Sequence, residues 1–89
     1  MVSNQTTICN KLGLHARAAS KLASVACQYE SQLRIRCNGR EIDAKSIMAL
    51  MLLAAGKGTP LEVIAEGPDE ATALESLIAL VDNRFGEDD

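Results

Sequence analysis

The chain contains the stretch QLRIRCNGREIDA at residues 32–44, in which apolar and polar side chains alternate on both sides of Asn38-Gly39. Alternation with a period of two predicts half-buried strands. Asn-Gly is a strong hairpin signal, because a type I′ turn needs positive φ at both central residues. A two-residue turn also fixes the register and places the apolar pairs on one face. The predicted register pairs Cys37 with Arg40, Ile35 with Ile42 and Leu33 with Ala44.

One strand and one helix are predicted before this hairpin. A short β-branched segment at Thr6–Cys9, within 2–9, predicts a strand, and an Asn- and Gly-containing loop follows at 10–14. Apolar residues then recur at helical spacing, which predicts a helix that begins at or just after His15 and ends near Cys27 or Gln28. Its expected buried face consists of Ala19, Leu22, Ala23 and Ala26.

After the hairpin, the sequence predicts a helix, a strand and a final helix. Ser46 is a suitable N-cap for a helix over Ile47–Ala55, with Gly56 as the residue that ends it. Alternation predicts a strand over Pro60–Glu66. Gly67–Glu70 places a proline and two acids at the start of the last helix. The expected apolar stripe of that helix is Leu74, Leu77, Ile78 and Val81, with Arg84 near its C-terminus and a frayed acidic tail over Gly86–Asp89.

The predicted element order is therefore β-α-β-β-α-β-α. A hairpin in the middle of the chain argues against a purely parallel crossover fold. A four-stranded antiparallel sheet with three helices on one face, a two-layer α/β sandwich, accommodates this order. We expect residues 1–89 to form a single domain, since 89 residues suffice for one modest core.

The composition restricts the classes of partner. The net charge is -3 and aromatic residues make up 2% of the chain. Binding of nucleic acid needs a basic face or aromatic stacking platforms, so we expect no nucleic-acid partner. The longest apolar run, Ile47–Ala55, is far below the roughly 18 residues of a membrane span. With no apolar signal segment in Met1–Cys9, we expect a cytoplasmic protein that does not associate with membranes.

The cysteines and the single histidine do not form a recognisable metal-binding motif. Cys9, Cys27 and Cys37 are widely spaced, and the sequence has no C-x-x-C. We expect three reduced thiols that act as small hydrophobic side chains, with no metal and no cofactor. A metal-carrying βαββαβ domain is excluded as a class because the paired cysteines are missing.

His15 lies where a glycine-containing loop meets the start of a predicted helix. The first N–H groups of a helix lack intrahelical partners and attract anions. Arg17 adds a guanidinium group suited to phosphate oxygens, and imidazole is a competent nucleophile near neutral pH. A histidine in this setting can accept a phosphoryl group. This local chemistry alone is more typical of a capping or surface histidine.

The helix predicted over Ile47–Ala55 carries apolar residues on every side. A short helix in a two-layer domain buries only one stripe, so part of this apolar surface is expected to face solvent and to dock a partner. The alternative is a fully buried central helix.

Two segments of the chain form recognisable motifs: NKLGLHARAA at residues 10–19 and AKSIMALM at residues 44–51. The first resembles the phosphorylation signature, and the second another sequence block, of the HPr family, the histidine-containing phosphocarriers of the phosphotransferase system. The resemblance spans essentially the whole chain and includes Gly67–Glu70. One departure is Ala18, which stands where the family usually has proline, and we expect it to soften the helix start without removing the chemistry.

The resemblance implies a role for several residues. His15 would be phosphorylated on its pros nitrogen, with Arg17 stabilising the phosphate. Ser46 would be the regulatory serine and the substrate of a serine kinase. The docking residues would be Ile47, Met48 and Met51.

The resemblance also implies the partners and the kind of protein. These are an enzyme I-type kinase and an enzyme IIA-type acceptor, with the protein acting as a monomeric carrier rather than as an enzyme. The sequence of Ala44–Leu53 and the Asp-rich C-terminal end resemble the nitrogen-related branch (NPr) more than the sugar branch. The alternative is a regulatory interaction module with the same fold and no phosphoryl transfer.

Overall fold

The computed structural model describes residues 1–87, and its elements follow the predicted order β-α-β-β-α-β-α. The strands are β1 (Val2–Thr7), β2 (Gln32–Cys37), β3 (Arg40–Asp43) and β4 (Pro60–Glu66). The helices are α1 (Ala16–Ala26), α2 (Ile47–Leu52) and α3 (Glu70–Asp82), followed by a 3₁₀ turn over Arg84–Gly86.

The four strands form one antiparallel sheet in the order β1-β4-β2-β3. The predicted hairpin register is confirmed, since Ile35 lies opposite Ile42 and the backbone N–H of Ala44 donates to the Leu33 carbonyl at 2.9 Å. Asn38 and Gly39 both have positive φ, at 51° and 80°, as a type I′ turn requires.

The core lies between one face of the sheet and the helices. The sheet contributes side chains at alternate positions, which are fully or almost fully buried, and α1 contributes the predicted stripe together with Ala18. The opposite sheet face carries a network of ion pairs around Arg36, which contacts Glu41 at 2.9 Å and Glu62 at 3.1 Å. The apolar face of the sheet is thus covered, and its charged face, where only Ile64 is buried, is otherwise left to solvent. The sheet residues buried in the core are Leu33, Ile35, Cys37, Leu61, Val63 and Ala65.

Three predicted boundaries were wrong. β1 ends at Thr7 rather than Cys9, because Ile8 instead pairs with the loop before β4, donating to the Thr59 carbonyl at 3.0 Å. α2 ends at Leu52 rather than Ala55, and the left-handed residue that follows it is Ala54 (φ 50°) rather than Gly56. Pro68 lies before α3 rather than in its first turn, because Asp69 is the N-cap.

The prediction of a frayed C-terminal tail was wrong for Gly86 and Glu87. Phe85, the only phenylalanine of the chain, is completely buried, and its carbonyl accepts a hydrogen bond from Lys21 Nζ at 2.8 Å. The backbone N–H of Glu87 donates to the Arg84 carbonyl at 2.9 Å. This buried aromatic ring holds the segment against α1. Asp88 and Asp89 lie outside the described residues.

The three cysteines are free thiols in different environments. Cys37 is buried in the core, as predicted, and burial raises the pKa of its thiol. Cys27 is exposed just after α1, so the prediction of a small core side chain was wrong there. Across residues 1–87, we find no helix with the length and apolar character needed to span a bilayer.

Candidate functional site

The loop before α1 is held against the segment that follows α2. Gly13 has φ +68°, and a Cβ at this position would lie 2.5 Å from the Ala55 carbonyl oxygen. Only glycine tolerates both the left-handed backbone and this close approach. The next residue, Leu14, donates its N–H to the same carbonyl at 2.8 Å. The glycine thereby fixes the path of the chain directly into the start of α1.

His15 is the N-cap residue of α1. Its backbone is extended (φ -80°, ψ -179°), and its Nδ1 accepts a hydrogen bond from the backbone N–H of Arg17 at 3.2 Å. An N-cap side chain normally satisfies one of the free N–H groups of the first turn in this way. The ring is 27% exposed. Its Nδ1, the pros nitrogen, therefore faces the positive end of the helix dipole, and the side chain as a whole is partly exposed to solvent.

The other ring nitrogen of His15 contacts the C-terminal segment. Nε2 is hydrogen-bonded to Oε2 of Glu87, while Oε1 of the same carboxylate accepts from Asn10 Nδ2 at 2.9 Å. Asn10 is completely buried, and its Nδ2 also donates to the Gly13 carbonyl at 2.8 Å. The hydrogen bond from Asn10 and the one from the His15 ring hold the pKa of the Glu87 carboxyl below its usual value.

The surroundings of His15 are mainly basic, with Glu87 as the one acidic side chain among the described residues that line its pocket. The ring opens into a pocket of about 840 Å³ whose lining includes Lys11, Arg17 and Lys21. The side chain of Arg17 is exposed at the same pocket. Three cations and a helix N-terminus around a single nucleophilic ring favour binding of a doubly charged anion such as a phosphoryl group.

Helix α2 places the other candidate residues. The Ser46 hydroxyl accepts from the Ala49 N–H at 3.2 Å, so the predicted N-cap is confirmed. Ile47, Met48 and Met51 are 43%, 76% and 46% exposed. The prediction that part of this helix leaves apolar surface in solvent is therefore confirmed, and a fully buried α2 is excluded.

The structure brings His15 and Arg17 together in one pocket and places Ser46, Ile47, Met48 and Met51 separately on α2. Two large apolar side chains that the sequence analysis did not single out, Leu12 and Leu52, are each 70% exposed. Leu12 lies next to Gly13, in the loop that packs closely against Ala55, and lines the same pocket as His15. Exposed apolar residues therefore occur both beside His15 and on α2.

Sequence reasoning missed three residues of the site. Asn10, Lys21 and Glu87 contact His15 or line its pocket, although Glu87 is 72 positions away from His15 along the chain. Phe85 was the available signal, because a lone phenylalanine in a polar terminal segment indicates a buried anchor. Within residues 1–87 no group of three or more His, Cys, Asp or Glu side chains is arranged to hold a metal ion.

The chain is similar to phosphocarrier proteins of one family. Residues 2–83 match the family model described as the PTS HPr component phosphorylation site. Over 87 residues the chain is 53% identical to the phosphocarrier protein HPr of Cupriavidus necator, covering 98% of both chains. It is 41% identical to the phosphocarrier protein NPr of Shewanella violacea, covering 97% of this chain and 94% of the relative.

Among solved structures, the crystal structure of HPr-C-His from Thermoanaerobacter tengcongensis superposes with a TM-score of 0.95. The two sequences are 36% identical and the match covers 99% of each chain. The fold and site thus define a small phosphocarrier, a protein that carries a phosphoryl group rather than an enzyme. The chain belongs to the HPr family of the phosphotransferase system.

Proposed function

We propose that residues 1–89 act as one monomeric phosphocarrier domain in the cytoplasm. His15 Nδ1 accepts a phosphoryl group from a phosphohistidine on an enzyme I-type kinase and passes it to a histidine on an enzyme IIA-type acceptor. The observation that most supports this assignment is the placement of Nδ1 at the N-terminus of α1, 3.2 Å from the Arg17 N–H.

In the proposed phosphoryl transfer, the carrier needs only to position the reacting nitrogen and to supply positive charge for the phosphoryl group. Phosphoryl transfer depends mainly on alignment and on stabilising the charge of the transferred group. In the proposed role, the phosphoryl oxygens meet N–H groups of the first turn of α1 and the cations of the pocket. Arg17 contributes a guanidinium that can contact two oxygens at once.

The exposed apolar residues of α2 support a partner surface on this helix. We assign Ile47, Met48 and Met51 to the docking of both the kinase and the acceptor, since exposed apolar patches mark protein contacts. Methionine adapts its shape to different partners, which suits a carrier that binds two of them in turn. Ser46 borders this surface, and we assign it as the target of a regulatory serine kinase.

The assignment of His15 is tested by phosphorylation with an enzyme I and its phosphoryl donor. The wild-type protein should become labelled, and the label should be lost in acid, because a phosphohistidine is acid-labile and a phosphoserine is not. His15→Ala should remain unlabelled, since the chain has no other histidine. It should still fold, because the ring packs outside the core, and lose only the roughly 0.5–2 kcal/mol of an N-cap contact.

The matched control is Ser46→Ala, which should keep its acid-labile label. Labelling of His15→Ala, or failure of every enzyme I to label the wild type, contradicts the proposal. The second result would favour an interaction module without phosphoryl transfer. Parallel assays with enzyme I proteins of the sugar and the nitrogen-related branches assign the branch by the faster transfer.

A further inference from the structure

The carboxylate of Glu87 is held at both oxygens beside the ring of His15. One oxygen contacts Nε2, and the other accepts from the buried Asn10 amide at 2.9 Å. The Glu87 side chain is only 16% exposed. We propose that Glu87 is a positioning residue that keeps the proton of His15 on Nε2 and so leaves the lone pair on Nδ1.

Two independent contacts of the ring agree on this tautomer. A neutral imidazole has one N–H donor and one acceptor nitrogen. An ionised carboxylate only accepts hydrogen bonds, so its partner Nε2 must carry the proton. The backbone N–H of Arg17 only donates, so Nδ1 must present its lone pair to it. The lowered pKa of the Glu87 carboxyl keeps it ionised at neutral pH, so it can only accept the hydrogen bond from Nε2.

The consequence for phosphoryl transfer rests on the proposed function. The Nδ1 lone pair forms the new N–P bond while the N–P bond of the donor phosphohistidine breaks, and the donor nitrogen regains its lone pair. Nε2 keeps its proton, so the phosphorylated ring of His15 gains positive charge. Glu87 faces that charge directly and stabilises it, and transfer to the acceptor reverses each change.

The C-terminal turn is built to bring Glu87 to the ring. Phe85 is completely buried, its carbonyl accepts from Lys21 Nζ at 2.8 Å, and the Glu87 N–H closes the turn on Arg84 at 2.9 Å. The charged groups that act most directly on the carboxylate are His15 and Lys21. Lys11 and Arg17 line the same pocket. Lys21 neutralises the carboxylate in part without hydrogen-bonding to it.

The test compares the wild type with Glu87→Ala and Glu87→Gln by nitrogen-15 NMR of the His15 ring at neutral pH. The wild type should show the Nε2–H tautomer with a protected ring proton. Glu87→Ala should lose that protection, because water then reaches Nε2. Glu87→Gln should retain it, because the amide oxygen still accepts. The matched control, Glu75→Ala, removes an exposed carboxylate from α3 and should match the wild type.

Rates of phosphoryl transfer provide the second measurement on the same proteins. Glu87→Ala should transfer about tenfold more slowly, the effect expected for loss of a hydrogen bond to a charged group. Glu87→Gln should fall between this variant and the wild type, because it keeps the hydrogen bond and loses the charge. All variants should keep wild-type melting temperatures to within a few degrees, since a positioning role does not require a change in the fold.

The possible failures are separable. A wild-type ring protonated on Nδ1, or unchanged transfer by Glu87→Ala, overturns the inference while leaving the proposed function intact. A protected Nε2–H in a wild-type protein that no enzyme I labels overturns the proposed function and supports only the tautomer assignment.

Discussion

Arg17 contributes to the site through two groups that substitution can separate. Its backbone N–H donates to His15 Nδ1 at 3.2 Å, and this contact survives replacement of the side chain. Its guanidinium is exposed at the pocket beside the ring. A change at this residue therefore tests the charged side chain while leaving the orientation of His15 in place.

We expect Arg17→Ala to be phosphorylated on His15 but to transfer the phosphoryl group roughly tenfold more slowly. A charge-assisted hydrogen bond contributes about 1.5–3 kcal/mol, and part of that stabilisation is lost in an exposed pocket. Stopped-flow or quenched transfer kinetics in both directions measure the effect. The control is Arg36→Ala, which removes a guanidinium from the opposite face of the sheet. Equal rates for Arg17→Ala and this control would show that the Arg17 side chain is merely solvated.

Individual residues of the site differ in how well the sequence reveals them. His15 and Arg17 are adjacent in a motif, and local helix-start chemistry singles them out. Asn10 and Glu87 act only through contacts across 77 positions, and no local pattern encodes such a pairing. The acidic composition after Phe85 is also typical of a disordered end, so the wrong prediction there followed from judging the tail without its aromatic anchor.

Helix α2 shows what periodicity can and cannot predict at the scale of one element. The N-cap at Ser46 was predictable because a hydroxyl before an apolar run has a specific hydrogen-bonding role. The end of the helix was not, because Ala54 adopts the left-handed conformation that the sequence would assign to Gly56. The resulting six-residue helix buries only Leu50, which explains why so much of its apolar surface remains exposed.

Ser46→Asp should leave the domain folded and weaken its binding to the enzyme I-type partner. The carboxylate can still cap α2 and lies at the positive end of the helix dipole. The same charge lies next to Ile47 and Met48, where it must be desolvated when a partner docks. Thermal melting and an affinity titration measure the two effects separately.

Ser46→Ala serves as the structural control in that experiment. It should lose about 0.5–2 kcal/mol of stability through the missing cap and keep its affinity for the partner. A collapsed melting temperature with unchanged affinity in Ser46→Asp would place the docking surface elsewhere and leave Ser46 as a structural cap.

At the scale of the whole molecule, the class of fold was predictable and the strand order was not. The turn at Asn38-Gly39 determines that β2 and β3 are neighbours. No local sequence pattern indicates that β4 inserts between β1 and β2. The order of these strands depends on how the helices together cover the apolar face of the sheet. One polar contact connects the segment before β2 with the segment between β4 and α3. The Asp69 carboxylate accepts hydrogen bonds from the backbone N–H groups of Glu30 at 3.0 Å and Ser31 at 2.9 Å.

The hydrogen bonds to Asp69 should make the stability of the fold sensitive to acid. The Ser31 hydroxyl, followed by the backbone donors, lowers the pKa of the Asp69 carboxyl. A carboxyl whose pKa is depressed in the folded state stabilises the fold at any pH above its pKa in the unfolded state, which is about 3.9. That stabilisation is lost as the pH falls through the pKa of the folded state. The free energies of unfolding of the wild type and Asp69→Asn should therefore differ at pH 7, begin to approach each other below about pH 4, and converge only below the folded pKa of Asp69.

The control for the acid experiment is Glu75→Gln, which neutralises an exposed carboxylate on α3. It should follow the wild type across the whole pH range. A constant difference between wild type and Asp69→Asn down to the lowest pH would show that the contact does not depend on ionisation.

The C-terminal turn has a consequence for behaviour at elevated temperature. Residues 84–86 all have positive φ, between 54° and 79°, and they hold Glu87 through a single buried ring. Short terminal segments open at a lower free energy than the core they rest on. Warming would therefore release Glu87 from His15 while the sheet is still intact. The carrier would lose its fast transfer first and its fold later, so its working temperature range is narrower than its melting curve suggests.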